Sequence, residues 1–153
     1  MKNYRCSVCG YIHKGEEAPD VCPNCGALTE KFVEVTESND GIHINFAQKA
    51  SYGKEVAVIP FFEDYESLAP FMYNLPAGQE VKLHKHPTTD ELFYIIKGKF
   101  QFTVGEEKFV ASEGDIIQGK MNTAHAFKNI SDEAGIFLSV KAPKPVDLVM
   151  IEE

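Results

Sequence analysis

Four cysteines fall into two pairs of identical spacing, Cys6-x2-Cys9 and Cys22-x2-Cys25, separated by twelve residues. The two-residue spacing lets both thiolates of a pair face one ion, and two pairs complete a tetrahedral shell of four sulfurs. Zinc and iron both suit such a shell. Gly10 and Gly26 follow the second cysteine of each pair, where the backbone must turn tightly. Farther along, His84 and His86 are separated by one residue. On a strand this places both imidazoles on one face, about 6.6 Å apart along the chain. Pro87-Thr88-Thr89-Asp90 turns the chain, Glu91 opens the next strand, and His125 lies on a later one. Three imidazoles and a carboxylate suit a divalent transition metal: manganese, iron, nickel, cobalt or zinc. Four protein ligands leave one or two positions open on a five- or six-coordinate ion, which a catalytic site needs. Beyond the metal, Glu91 is the candidate for proton transfer, by releasing the ion and accepting a proton.

Short strands must position these residues. Val56 to Ile59, Phe71 to Leu75 and Ile136 to Val140 read as strands, as does the alternation of Ile42, Ile44 and Phe46. Glu91 to Ile96 and Lys99 to Val104 are expected to form a hairpin across Lys97-Gly98. Glu63 to Ala69 is expected to form a short helical turn. Many short strands with frequent turns indicate a sandwich or barrel. Phe93, Ile95, Phe102 and Phe127 are expected to line its apolar lumen. Strict alternation places Lys82 on the face of His84 and His86, a costly position for a lysine without a partner. Either the strand bends before the histidines or Lys82 lies near the barrel mouth, and the mouth is the expectation. Asp90, His13 and His43 are expected outside the metal sites.

The chain has 153 residues, 44% of them hydrophobic and 25% charged, as in ordinary globular proteins. Its net charge of −8 repels phosphate backbones, so no nucleic-acid partner is expected. No apolar run approaches the roughly 20 residues of a membrane span. The N-terminus enters the cysteine motif with no apolar signal core, and the expected location is the cytoplasm. Clustered cysteines there point to metal rather than disulfides. The boundary is expected in the polar stretch Thr36 to Gly41. This gives a metal segment over residues 1–35, a linker and first strand over 36–50, and a β-domain over 51–153. About 35 residues cannot build an adequate core, so metal binding is expected to fold the first segment.

Two resemblances refine this picture. Tyr4-Arg5-Cys6-Ser7-Val8-Cys9-Gly10-Tyr11-Ile12-His13, followed by Ala18-Pro19 and Cys22-Pro23-Asn24-Cys25-Gly26-Ala27, resembles the short rubredoxin-like domain of rubrerythrins. That resemblance implies one iron on Cys6, Cys9, Cys22 and Cys25, cycling between ferric and ferrous states, with zinc as the alternative. Gly78-x5-His84-x-His86-x4-Glu91-x6-Gly98 and Gly114-x5-Lys120-x-Asn122-x2-His125-x3-Asn129 resemble the two motifs of the cupin superfamily. Lys120 and Asn122 depart from the usual proline and glycine, which puts the local turn in question rather than the metal. The resemblance implies His84, His86, Glu91 and His125 as ligands inside a double-stranded β-barrel, or jelly roll. The whole is expected to be all-β. Together the two sites imply an oxidoreductase acting on a small organic substrate, oxygen or peroxide. A reductase would donate the electrons, and the chain is expected to form a homodimer. The alternatives are a binding or metal-sensing module with a structural zinc ribbon, and a redox-neutral isomerase or lyase.

Overall fold

The computed structural model describes residues 1–36 and 41–152. The chain forms two compact units, Met1–Gly53 and Lys54–Glu153. Nearly all regular structure is β, and no helix among the described residues is long and apolar enough to cross a membrane.

In the first unit, β1 (Lys2–Cys6) lies between β2 (Ile12–Gly15) and β3 (Phe32–Val35), both antiparallel to it. Each cysteine pair closes a tight turn: the Gly10 amide donates to the Cys6 carbonyl and the Gly26 amide to that of Cys22, both at 2.9 Å. Gly10 (φ 79°) and Gly26 (φ 77°) adopt the left-handed conformation that such turns require. The strand expected from Ile42 to Phe46 does not form. The Asn45 carbonyl instead accepts the amides of Gln48 and Lys49, which starts the short helix α1 (Phe46–Lys49). Just beyond it, the Ala50 carbonyl accepts a hydrogen bond from the buried Arg5 guanidinium, which also lies 5.1 Å from the Tyr52 ring centre. These contacts tie the segment after β3 to the cysteine-bearing unit.

The second unit is a sandwich of two five-stranded antiparallel sheets. One runs β10 (Ile116–Gly119), β7 (Asp90–Lys97), β12 (Gly135–Ala142), β5 (Ala69–Leu75), β4 (Ala57–Pro60). The other runs β13 (Val149–Met150), β6 (Glu80–Lys85), β11 (His125–Asn129), β8 (Lys99–Val104), β9 (Glu107–Ser112). Phe93 and Ile95 of one sheet pack against Phe100, Phe102 and Phe127 of the other, all essentially inaccessible to solvent. Phe93 and Phe102 meet edge to face at 5.3 Å. Each such burial contributes about 1.5–3 kcal/mol.

That packing corrects the expected hairpin. β8 has the expected bounds and β7 runs one residue farther at each end, but the two pair in different sheets. Both present apolar inner faces, which are satisfied by facing each other across the core rather than lying side by side. Gly98 (φ 93°) turns the corner, and a Cβ there would approach Ser131 Oγ to 2.8 Å. Glu63 to Ala69 holds only a turn, closed by the Tyr65 amide on the Phe62 carbonyl, and Ala69 already belongs to β5.

Candidate metal centres

The four sulfurs of the first unit converge. Cys6 and Cys25 Sγ are 3.7 Å apart, Cys9 and Cys22 Sγ 3.6 Å apart, and all four ligand atoms lie within 4.8 Å of one another. A tetrahedron with metal–sulfur bonds near 2.3 Å has edges of about 3.8 Å, so the cysteines fit a single ion. Their thiols titrate unequally. Burial pushes the Cys9 thiol up, but the Asn24 side chain, the Tyr11 backbone and the neighbouring sulfurs bring it down to about 7. The Ala27 backbone lowers the Cys25 thiol, while lost hydration and the other three sulfurs push it up to about 12. Crowded thiolates repel, and a cation relieves the repulsion. His13 lies outside this group, and Tyr4 Oη donates to the Glu16 carbonyl at 2.9 Å.

Inside the sandwich, His84, His86, Glu91 and His125 are buried together, their ligand atoms within 4.8 Å. Three separate stretches deliver them: β6 with the residue after it, the start of β7, and the start of β11. Glu91 Oε2 is 3.2 Å from His86 Nε2 and 3.0 Å from His125 Nε2. Ligands at right angles around an ion, with bonds near 2.1 Å, sit about 3.0 Å apart. The three atoms are buried, yet none is aligned to hydrogen-bond another. Orphaned buried polar atoms are costly, and a shared cation satisfies all three. The donor set therefore fits a transition metal.

The imidazoles are aimed by the backbone. Nδ1 of His84 donates to the Lys82 carbonyl at 2.7 Å, Nδ1 of His125 to the Thr123 carbonyl at 3.1 Å, and Nδ1 of His86 to the Asp147 carbonyl. Each Nε2 is thereby left as the ligand atom. Phe93 lies edge to face against His125 at 5.5 Å, so the floor of the site is aromatic.

The placement of Lys82 follows from a β-bulge. His125 pairs with His84 and Phe127 with Val81, so Lys82 and Leu83 together oppose Ala126. The extra residue breaks strict alternation. Lys82 thus leaves the inner face and pairs in solvent with Glu80 at 2.5 Å. The bend, not the barrel mouth, accounts for it, and the same bulge offers the Lys82 carbonyl to His84. The turn in question around Lys120 and Asn122 also forms. Asn122 adopts φ 61°, which asparagine tolerates better than most residues. Its amide donates to the His86 carbonyl at 2.7 Å. Asp90 points away from the cluster and accepts the Met121 amide at 2.8 Å; His43 is exposed.

Three side chains around the cluster escaped the sequence analysis. Ser139 Oγ donates to Glu91 Oε1 at 2.5 Å. Lys141 Nζ lies 3.2 Å from the same oxygen and donates to Tyr73 Oη at 2.9 Å. Its ammonium also sits 4.4 Å from the Phe71 ring centre. The alternation of Phe137, Ser139 and Lys141 with Leu138 and Val140 was the available signal, since it puts a serine and a lysine on an inner face.

Electrostatics follow from this packing. Burial opposes ionisation of Glu91, but His125, His86, Lys141 and Ser139 hold its carboxyl well below the usual range. Burial lowers His84. Burial also acts to lower His86, but Glu91 and the Asp147 carbonyl raise it overall. Burial raises the Tyr73 phenol.

Comparison with known proteins agrees with both sites. Residues 71–141 match the cupin domain model, and residues 4–33 match the rubredoxin-like domain of rubrerythrin. Reverse rubrerythrin-1 of Clostridium acetobutylicum is 56% identical over 41 residues, 27% of this chain and 23% of that protein. An uncharacterised protein of Methanocaldococcus jannaschii is 38% identical over 58 residues, 38% of this chain and 46% of that protein. The chain spans less than half the length of the curated relatives it matches. Among solved structures, TT1209 of Thermus thermophilus superposes with a TM-score of 0.63 and 29% identity, covering 67% of this chain and 97% of that one. A Klebsiella pneumoniae protein with a double-stranded β-helix domain gives 0.67 at 22% identity, covering 73% and 98%. The second unit thus has the cupin fold, and the cysteine-bearing segment is rubredoxin-like.

Proposed function

We propose that this chain is a two-centre redox metalloprotein. Iron on Cys6, Cys9, Cys22 and Cys25 carries electrons to or from a metal held by His84, His86, Glu91 and His125. The observation that carries the barrel half is the set of buried, unaligned atoms Glu91 Oε2, His86 Nε2 and His125 Nε2. The local identity with reverse rubrerythrin-1 supports iron over zinc at the cysteines.

When bound, the barrel metal supplies Lewis acidity and one-electron chemistry to a small molecule in its open positions. The chain's own residues prepare that encounter. Backbone carbonyls fix the three imidazoles, and Ser139 and Lys141 fix the carboxylate. Phe93 and Phe127 keep the inner side dry, which strengthens every charge interaction there. The four-thiolate shell is closed, which suits electron transfer rather than substrate binding. Joining both centres on one chain raises the local concentration of each around the other.

The substrate in this reading is a small organic molecule, oxygen or a peroxide, and a reductase supplies electrons in a cytoplasmic setting. A homodimer belongs to the same reading: exposed Leu92, Tyr94 and Ile116 share a face of β7 and β10 that a second barrel would cover. Metal analysis and visible spectroscopy of freshly purified protein test the proposal. A red protein that bleaches on reduction, with a second metal per chain, is the expected result. Colourless protein with zinc on the cysteines would falsify the electron-transfer reading.

A further inference from the structure

The two oxygens of Glu91 have different surroundings. Oε2 faces His86 and His125. Oε1 faces away, held by Ser139 Oγ at 2.5 Å and Lys141 Nζ at 3.2 Å. Both holders come from β12, where Lys141 is the direct cross-strand partner of Glu91 and Ser139 that of Phe93. Two residues apart on one strand, they project from the same face. Neither is free to wander: Ser139 is 0% and Lys141 3% exposed. Lys141 is further fixed by Tyr73 Oη and lies against the rings of Phe71 and Tyr73.

A carboxylate binds a metal through one oxygen or through both. From this geometry we infer that Ser139 and Lys141 act as positioning residues that restrict Glu91 to one-oxygen ligation, and so keep a coordination position open for substrate. The inference rests on metal binding in the barrel. On a six-coordinate ion the three histidines and one carboxylate oxygen leave two positions. A second oxygen from Glu91 would take one of them. The pair therefore governs whether a substrate and a second small molecule bind side by side, without either residue touching the metal.

The test uses the full chain with one equivalent of zinc, which the soft thiolates take first, followed by manganese(II), which suits the nitrogen and oxygen donors of the barrel. Zinc is silent in electron paramagnetic resonance, so the manganese spectrum reports the barrel alone. Proton relaxation of solvent water counts the waters on manganese. In S139A/K141M the resonance pattern is expected to shift, and the water-relaxation enhancement to fall by about half, from two bound waters to one. Ser139→Ala alone is expected to shift the resonance in the same direction, and Ser139→Thr, which keeps a hydroxyl, to restore it. The single variants decide the matter where the double variant does not fold. Unchanged spectra and relaxation at equal manganese content would overturn the inference and leave the metal site standing. Failure of the wild-type barrel to take up manganese or any other metal would overturn both.

Discussion

His84 and His125 are direct register partners on β6 and β11, their ring centres 4.4 Å apart. One residue beyond this pair, the β6 bulge resets the alternation, so the pairing that holds the sheet also sets the ligand geometry. With Glu91 on the facing sheet, the cluster bridges both layers of the sandwich.

Loss of one imidazole is therefore expected to empty the barrel and spare the cysteines. His86→Ala or His125→Ala should reduce the metal content from two ions per chain to one, read by elemental analysis, with the visible spectrum of the four-thiolate site unchanged. Loss of both ions would mean that the two units depend on each other.

The C-terminal segment takes part in the site through its backbone. Asp147 offers its carbonyl to His86, while β13 pairs with Lys85 and His84. Ending the chain after Val146 is expected to weaken barrel metal affinity by about 10–100-fold, the usual cost of losing such an orienting partner. Competition with a coloured chelator measures it. Thr88→Ala, which removes only the 3.2 Å contact to the Asp147 carboxylate, should cost far less.

Acid should destabilise the metal-free barrel in a way that identifies Glu91. Its carboxyl is held below its ordinary value, so it stabilises the fold above about pH 4.3, and that stability is lost as pH falls toward the lower folded value. His84, lowered by burial, also loses stability as pH falls through about 6.5. His86, raised by Glu91 despite its burial, acts oppositely: its stabilisation is present below about pH 6.5 and disappears as pH climbs through its folded value. The two histidines act in opposite directions around pH 6.5, and the limb below about pH 4.3 belongs to Glu91. Urea midpoints followed by circular dichroism should drop below about pH 4.3, and Glu91→Gln should flatten that drop. With metal bound, protons compete for every ligand, and the rise of stability with pH should be steeper.

The aromatic core carries both layers. Phe102 is fully buried and meets Phe93, Phe100, Phe127 and Phe137. Phe102→Ala is expected to cost about 3–5 kcal/mol in urea unfolding. A cost near zero would mean that the two sheets are not held together by this cluster.

The two clusters were legible in the sequence because each motif is largely local: paired cysteines around tight turns, and His84, His86 and Glu91 within one strand–turn–strand stretch. Several strands of the second unit followed from alternation, but the same pattern from Ile42 to Phe46 leads into a helical turn. Strand pairing was less legible, as Gly98 shows, because a short connection between two apolar-faced strands fits a hairpin and a sheet-to-sheet corner equally well. The β6 bulge depends on β11, some forty residues away. Ser139 reaches Glu91 from 48 residues later in the chain. The hydrogen bond orienting His86 comes from a backbone carbonyl, which no side-chain pattern encodes.

Electron transfer between the two centres, as proposed, can be followed by rapid mixing. The protein is reduced anaerobically, mixed with oxygen or hydrogen peroxide, and the return of the ferric four-thiolate colour is followed in wild type and in His86→Ala. If electrons leave through the barrel metal, reoxidation is expected to be at least about tenfold slower in the variant, a barrier difference of about 1.4 kcal/mol. Equal rates in the two proteins would contradict it, because the cysteine-bound iron would then be reacting on its own.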